Sequence, residues 1–321
     1  MRSAISNAFV VLGLVGWSCA PAEDRYSDLM VEELPDGVEA ISLLGDTLRA
    51  PALGADIEQQ RQGELAEARD AWESDPQNVD SIIWIGRRTA YLGQYRDAID
   101  IYTEGIRLHP NDPRLYRHRG HRYITTRQLD LAIADFERAA ALTAGQPDQV
   151  EPDGQPNARD IPTSTLQSNI WYHLGLAYYL VDDLENALRA YQECMEVSEN
   201  NDMLVATSYW YYMALRRAGR HDEAAALLAP ITPEMDIIEN GTYQQLLLMF
   251  KGVVDAEGVL DTSNEADVAL ANATAGYGVG FWHDIEGRTE EAVATWERVL
   301  AGPQWAAFGY IASEAEGARR R

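Results

Sequence analysis

Residues Ser168–Asn201 read SNIWYHLGLAYYLVDDLENALRAYQECMEVSENN, and the pattern of this stretch of 34 residues recurs along the chain. Within it Gly175 precedes Ala187 by twelve residues, and Tyr191 follows that alanine by four. The same spacing of glycine, alanine and aromatic residue returns in three other places: Gly86/Ala98/Tyr102, Gly120/Ala132/Phe136 and Gly280/Ala292/Trp296. Self-similarity at a fixed period of this length predicts a repeat architecture.

Two helices in each repeat explain the spacing. Small residues at the glycine and alanine positions let the two helices approach closely, and the aromatic side chain fills the space that they leave. A single pair cannot bury its own apolar face, so the pairs must stack. We therefore predict an all-α solenoid of stacked helix–turn–helix repeats with flanking capping helices, the repeats lying at Val79–Asp112, Pro113–Gln146, Ser168–Asn201, Val205–Ile238 and Ala273–Ala306.

This pattern resembles the tetratricopeptide repeat (TPR) family. In that family a large residue stands at position 4, Gly or Ala at position 8, Ala at position 20 and an aromatic residue at position 24. The resemblance implies a right-handed TPR solenoid and a non-catalytic, protein-binding role. The copy that begins at Ala273 departs from the pattern at Gly276 and His283, and the copy that begins at Val205 is degenerate, with Tyr212 in place of the glycine.

Pattern and composition also divide the chain into segments. Within the first part we expect a helix over Asp56–Trp72, with Val38–Leu48 as a possible helical partner, and Thr242–Val253 is expected to be a buried helix between repeats. The predicted organisation is a signal at 1–22, a tether with a possible N-terminal helix at 23–55, N-terminal repeats at 56–144, a proline-rich insert at 145–163, and C-terminal repeats with a capping helix at 164–321.

The insert, residues 145–163, interrupts the array. Its four prolines exclude a long helix, and it is longer than the usual connection between two helices. Two arrangements are open: a tolerated surface loop, or a loop that folds over the groove of the repeats or docks a partner.

The first 22 residues have the features of an export signal. Met1 and Arg2 precede an apolar run, Ala8–Trp17, which is too short to span a bilayer. Cys19 follows a stretch that resembles a bacterial lipobox, which implies lipidation of that cysteine, whereas Ala20–Ala22 is an A-x-A cleavage site that would release a soluble protein. We expect an exported protein, lipid-anchored at the cell envelope or soluble in the periplasm or medium; an uncleaved start is the third alternative.

Composition and motifs exclude several function classes. The 321 residues include 51 acidic and 26 basic residues, a net charge of -25, which disfavours nucleic acid and leaves a lipid anchor as the expected membrane contact. No nucleophile elbow, zinc-protease motif, phosphate loop or C-x-x-C is present, so we predict no enzyme, no cofactor and no metal. His118 and His121 share a helix face, but the neighbouring arginines disfavour a cation there. A metal-dependent or carboxylate-based hydrolase stays as a remote alternative.

Positive charge is concentrated in one window. Arg107–Arg127 holds six arginines, three histidines and one acid, Asp112, and so carries +5 within a chain of -25. Like charges at helical spacing destabilise an isolated helix, so something must compensate. The compensation is either acid elsewhere, with the arginine heads solvated, or a bound anionic partner.

The TPR resemblance places part of this window in the concave groove. Carried onto this chain, the groove positions imply a ligand-binding set of Arg87, Arg114, Arg117, His121, Tyr172, Tyr209 and Arg216. Arginine forks match carboxylates, and tyrosines supply stacking area and a hydroxyl. We therefore predict a groove for an acidic peptide or protein segment. The alternative is a structural scaffold or assembly factor that uses the edges or the convex face; the oligomeric state stays open.

The two export routes differ in one measurable product. If Cys19 is lipidated, cells fed a radiolabelled or alkyne-tagged fatty acid will incorporate it into the protein, and the Cys19→Ala variant will carry none because the acceptor thiol is gone. Label on the variant equal to that on the unchanged protein would contradict lipidation at this residue.

Overall fold

Helix pairs account for most of the chain that the computed structural model describes, residues 34–260 and 268–321. In chain order the helices are α1 (Ala55–Ser74), α2 (Val79–Tyr91), α3 (Tyr95–Leu108), α4 (Pro113–Thr125), α5 (Leu129–Thr143), α6 (Leu166–Leu180), α7 (Leu184–Glu196), α8 (Asn201–Arg217), α9 (His221–Leu227), α10 (Gly241–Phe250), α11 (Ala256–Leu260), α12 (Val268–Ile285), α13 (Thr289–Leu300) and α14 (Phe308–Arg319). The predicted all-α class is confirmed. Five pairs, α2/α3, α4/α5, α6/α7, α8/α9 and α12/α13, stand where the five repeats are predicted.

A β-hairpin replaces the helix expected over Val38–Leu48, and that expectation was wrong. Strands β1 (Ala40–Ile41) and β2 (Thr47–Leu48) pair antiparallel. The chain reverses at Gly45, whose φ of 99° lies in the left-handed region, while the Ser42 hydroxyl accepts the backbone N–H groups of residues 44 and 46. Residues 23–33 and the export signal with Cys19 lie outside the described residues.

Four of the five repeats are held by a close approach of a glycine in the first helix to an aromatic residue in the second. A Cβ placed on Gly175 would lie 2.5 Å from the ring of Tyr191, and one placed on Gly86 would lie 2.5 Å from the ring of Tyr102. The corresponding distance is 3.0 Å for Gly120 against Phe136 and 2.3 Å for Gly280 against Trp296. The first helix of a pair therefore rests on the aromatic face of the second, at a distance that a side chain would prevent.

A left-handed residue joins the two helices of every pair, seven residues after the glycine position. It is glycine in three pairs, with φ of 80° at Gly93, 73° at Gly219 and 77° at Gly287. In the other two it is Arg127 (φ 63°) and Asp182 (φ 67°), at a cost of roughly 1 kcal/mol for a residue with a Cβ.

The side chain of Arg127 connects the second repeat to the C-terminal end of the chain. Its Nε and Nη2 donate to the carboxylate of Glu314 in α14 at 3.0 and 2.7 Å, and Nη2 also donates to the carbonyl of Trp305 at 2.7 Å. Both charged side chains are almost fully buried. Trp305 in turn donates from its ring to the carbonyl of Arg49 at 2.7 Å. Helix α14 and the turn before it thus contact the N-terminal hairpin region and the second repeat.

Two short helices lie between the fourth and fifth repeats. Helix α10 lies where a buried helix is predicted, and its residues Leu246–Met249 are buried. The backbone N–H groups of Ile238, Glu239 and Asn240, just before it, donate to the carboxylate of Asp202 in α8. Asp202 therefore fixes the start of α10 against the fourth repeat.

Two glycine-to-alanine changes test the packing in opposite directions. Gly175→Ala should lower the free energy of unfolding by about 1–3 kcal/mol, because the new methyl group collides with Tyr191. Gly63→Ala in the exposed helix α1, where nothing lies within 4 Å of the new Cβ, should raise it by about 0.5–1 kcal/mol. Urea denaturation of both variants measures this; equal effects of the two changes would contradict the packing argument.

Candidate functional site

The insert folds over the first helices of three repeats, which is the second of its two expected arrangements. The carboxylate of Glu151 enters between α4 and α6, where Arg117 Nε lies 2.9 Å from one oxygen and His118 Nε2 lies 3.5 Å from the other. Asn169 donates from its side chain to the same carboxylate at 3.1 Å. Glu151 is buried, so an acid of the insert partly neutralises the arginine-rich helix from outside.

The backbone of the insert also contacts arginines of α2. Arg87 Nη1 donates to the carbonyl of Pro152 at 2.7 Å, and Arg88 Nη1 donates to the carbonyl of Gly154 at 3.1 Å. A Cβ on Gly154 would lie 1.7 Å from the Tyr91 hydroxyl, so a larger residue here would displace the side chain of Tyr91. The segment from Glu151 to Gly154 therefore lies directly on the predicted groove.

The C-terminal part of the insert contacts residues of the fourth repeat. Arg159 forms an exposed ion pair with Asp236 at 2.7 Å, and Asn200 donates from its side chain to the carbonyl of Thr163 at 2.8 Å. An exposed pair of this kind contributes little to stability, whereas the buried contacts of Glu151 fix the insert.

Three of the predicted site residues come together. Arg87, Arg117 and His121 line a cavity of about 120 Å³ between α2, α3 and α4, which we call the inner cavity. Its remaining lining is Ala90, Tyr91, Tyr102, His118 and Arg122. Arg114 lies outside it: that side chain pairs with Asp112 at 2.7 Å and with Asp80 at 2.6 Å, and so secures the start of α4. Arg114 instead lines a second cavity of about 340 Å³ beneath the insert, together with Arg87, Trp84 and Glu151.

The other predicted site residues do not line an open groove, which corrects the sequence-based picture. Tyr209 is fully buried, and Tyr172 is buried with its hydroxyl accepting from the Trp210 ring at 2.8 Å. Arg216 donates to the hydroxyl of Tyr212 at 2.8 Å, on another repeat. The physical reason is that α8, α10 and α12 pack together here, so positions that face a groove in an open array become core.

Helix α14 fills the space next to His121. The ring of Phe308 lies 5.4 Å from the ring of His121, 5.5 Å from that of His173 and 6.4 Å from that of Tyr172. His121 and His173 themselves are 4.6 Å apart. An aromatic cluster therefore closes the groove beyond the inner cavity, and the open part is confined to the first two repeats.

Burial and nearby arginines keep the site's histidines neutral. Burial lowers the pKa of His118 and His121 well below the ordinary value, with Arg117 and Arg122 acting in the same direction. Burial, with Arg117, lowers the pKa of His173 to about 3. Burial also lowers the pKa of Arg117 while Glu151 raises it, and the guanidinium stays protonated. The positive charge of the site thus comes from arginine alone.

Sequence reasoning missed three groups that shape the site: Glu151, Arg122 and Phe308. Glu151 is one acid among many in an irregular segment, and nothing in its spacing shows that it pairs with Arg117. Arg122 falls inside the charged window but off the groove positions that the family pattern supplies. Phe308 belongs to a helix remote in sequence, and only packing brings it to α4 and α6.

Three further features of the described residues concern metal binding, membrane-spanning helices and the reactivity of Cys194. Within residues 34–260 and 268–321 no three His, Cys, Asp or Glu side chains are grouped so as to hold a metal ion. No helix in those residues is long and apolar enough to cross a membrane. Burial raises the pKa of the Cys194 thiol to about 11, which makes it a poor nucleophile.

The fold is that of a helical-repeat protein built from glycine–aromatic helix pairs. Residues 168–201 match the family model for the tetratricopeptide repeat, and the helix pairs before and after them are arranged as similar two-helix repeats. Among curated proteins, BBSome complex member BBS4 of Bos taurus is 25% identical over 195 residues, which are 61% of this chain and 31% of that protein. The chain thus spans about a third of the length of this relative.

Solved structures with a similar arrangement are distant in sequence. A tetratricopeptide repeat protein from Parabacteroides merdae is 13% identical, with a TM-score of 0.47 over 77% of this chain and 91% of that one. YrrB, described as a TPR protein with an unusual peptide-binding site, is 16% identical, with a TM-score of 0.40 over 79% and 98%. The APC/C hetero-tetramer Cut9–Hcn1 is 18% identical, with a TM-score of 0.44 over 75% and 40%.

The neutral histidines predict an acid-sensitive fold. The pKa of His173 is about 3 in the folded protein and about 6.5 in the unfolded chain. As the pH falls below about 7, this histidine therefore becomes protonated in the unfolded chain but stays neutral in the folded protein, which favours unfolding. Between pH 7.5 and 5.5 this one group should lower the free energy of unfolding by ~1.4 kcal/mol.

His173→Phe removes this titratable group and keeps an aromatic ring beside Phe136 and Phe308. The variant should therefore lose ~1.4 kcal/mol less than the unchanged protein between those two pH values, as measured by urea denaturation at each pH. An identical loss in both proteins would show that His173 does not bind its proton on unfolding.

Proposed function

We propose that this protein is a non-catalytic interaction module that binds an acidic, extended segment of a partner protein on the face formed by α2 and α4. The observation that carries the proposal is the position of the insert on this face. An acidic stretch, Gln149–Asp153, already lies on that face, with the Glu151 carboxylate on Arg117 and with Arg87 on the next carbonyl. The chain itself therefore provides an example of the ligand chemistry that the face accepts.

The contacts define what a partner segment must supply. A carboxylate has to reach the buried donors of Arg117 and Asn169, and a carbonyl one residue further has to accept from Arg87. The buried bond from Asn169 to the carboxylate is charge-assisted, a kind that contributes roughly 1.5–3 kcal/mol, and Arg117 adds an ion pair. A partner must also displace the insert, so the unoccupied face is available only in the fraction of molecules whose insert has opened.

The setting is part of the proposal. The signal at 1–22 supports an exported protein at the cell envelope, anchored through Cys19 or released after Ala22. A partner bound there would be a protein, since the acidic surface disfavours nucleic acid. The curated relative is named as a member of a protein complex, which agrees with a protein-binding role.

A peptide of residues 148–156 tests the proposal directly. Labelled at one end, it should bind the full chain weakly, because the insert competes with it. Glu151→Gln in the protein removes the competing charge, and we expect about tenfold tighter binding of the peptide, weakened again by added salt. Fluorescence anisotropy at two salt concentrations measures both effects.

Two controls keep the test specific. A peptide with glutamine at its Glu151 position should bind at least tenfold more weakly, because it cannot pair with Arg117. Arg107→Gln in the protein alters an exposed arginine on α3 that pairs with Glu104, and it should leave the affinity unchanged. Equal binding of both peptides, or no binding by Glu151→Gln, would overturn the acidic-segment proposal.

A further inference from the structure

Positive charge exceeds negative charge around the inner cavity. Three guanidinium groups, those of Arg87, Arg117 and Arg122, line it, and none of its described lining residues is an acid. Glu151 reaches Arg117 from the insert side. Arg87 meets only neutral acceptors, the carbonyl of Pro152 and the hydroxyl of Tyr91. Two of the three arginines therefore have no carboxylate partner.

Among the described residues, Arg122 lacks a carboxylate partner and also lacks a neutral acceptor. Its guanidinium has no ion pair or hydrogen bond to any described residue, and its contact is the ring of Tyr95, 5.5 Å away. Four other partly or fully buried arginines of the described chain meet carboxylates: Arg88 with Glu64, Arg119 with Asp135, Arg127 with Glu314 and Arg217 with Asp182. In a protein with nearly twice as many acids as bases, the unpaired charge at this cavity stands out.

Neutral donors complete the lining. Tyr102 lines the cavity and is only 1% exposed, and burial raises the pKa of its hydroxyl, which therefore stays a neutral donor. A hydroxyl in the wall of the cavity can donate a hydrogen bond to a ligand that accepts its proton. His121 lines the same space and makes ring contacts only. Donors thus face the cavity from α2, α3 and α4.

We propose that the inner cavity is a binding site for a small tetrahedral oxyanion, sulfate or inorganic phosphate. A volume of about 120 Å³ accommodates such an ion with a water molecule or two, and excludes a nucleotide or a peptide. Arginine forks donate two bonds each to an oxyanion, and the surrounding protein strengthens them by excluding water. The site does not rest on the acidic-segment proposal, because its lining is complete with the insert in place.

Isothermal titration calorimetry of the full chain with sodium sulfate and, separately, sodium phosphate tests the site, at constant ionic strength set with chloride. We expect saturable one-to-one binding of at least one of the two anions, and a melting temperature that rises with that anion and not with chloride. Arg122→Gln should weaken binding about tenfold or more, because one charge-assisted donor is lost.

Two further variants separate a specific site from a general salt effect. Tyr102→Phe keeps the ring against Gly86 and removes only the hydroxyl, so the protein stays folded and the affinity should drop several-fold. Arg216→Gln is the matched control, an arginine that stacks on Tyr212 as Arg122 does on Tyr95 but lies outside the cavity. No saturable binding by the unchanged protein, unchanged affinity in Arg122→Gln and Tyr102→Phe, or an equal loss in Arg216→Gln would each overturn the site.

Discussion

The contact between a glycine and an aromatic ring inside four of the five repeats is the constraint on which the structure depends. At Gly86, Gly175 and Gly280 a Cβ would collide with the ring of the second helix, and at Gly120 it would be in tight contact with it. This approach fixes the distance and rotation of the two helices, and hence the faces that they offer to the next pair. Because each pair can bury its apolar surface only against its neighbours, the same local contact, repeated, builds the array.

The array is then closed by interactions between residues far apart in sequence. The buried pair of Arg127 and Glu314 joins the turn of the second repeat to α14, 187 residues later. Breaking such a pair by removing one partner leaves a charge without compensation in the core. Phe308, from the same helix, closes the groove at His121 and His173. The concave surface of an open repeat array is thereby reduced to the face of α2 and α4.

On that face, charge decides what can bind. The net charge of -25 describes the surface as a whole, whereas the inner cavity has guanidinium groups and no acid of its own. The insert brings one carboxylate to Arg117, so the insert itself occupies the proposed acidic-segment site, while Arg87 and Arg122 at the inner cavity have no carboxylate partner in the described part of the chain. The two proposed ligands therefore follow from the same arginine cluster approached from different sides.

The sequence by itself determined the class of fold, the positions of the repeats and the concentration of arginine in α4, because glycine–aromatic packing and helical spacing are local and leave a periodic trace. It also placed Arg87, Arg117 and His121 near one another. Only the tertiary structure decided that Tyr172 and Tyr209 are core, that Val38–Leu48 is a hairpin and that Glu151 pairs with Arg117. Those outcomes depend on contacts between distant segments, α14 and the insert above all, and such contacts have no period in the sequence.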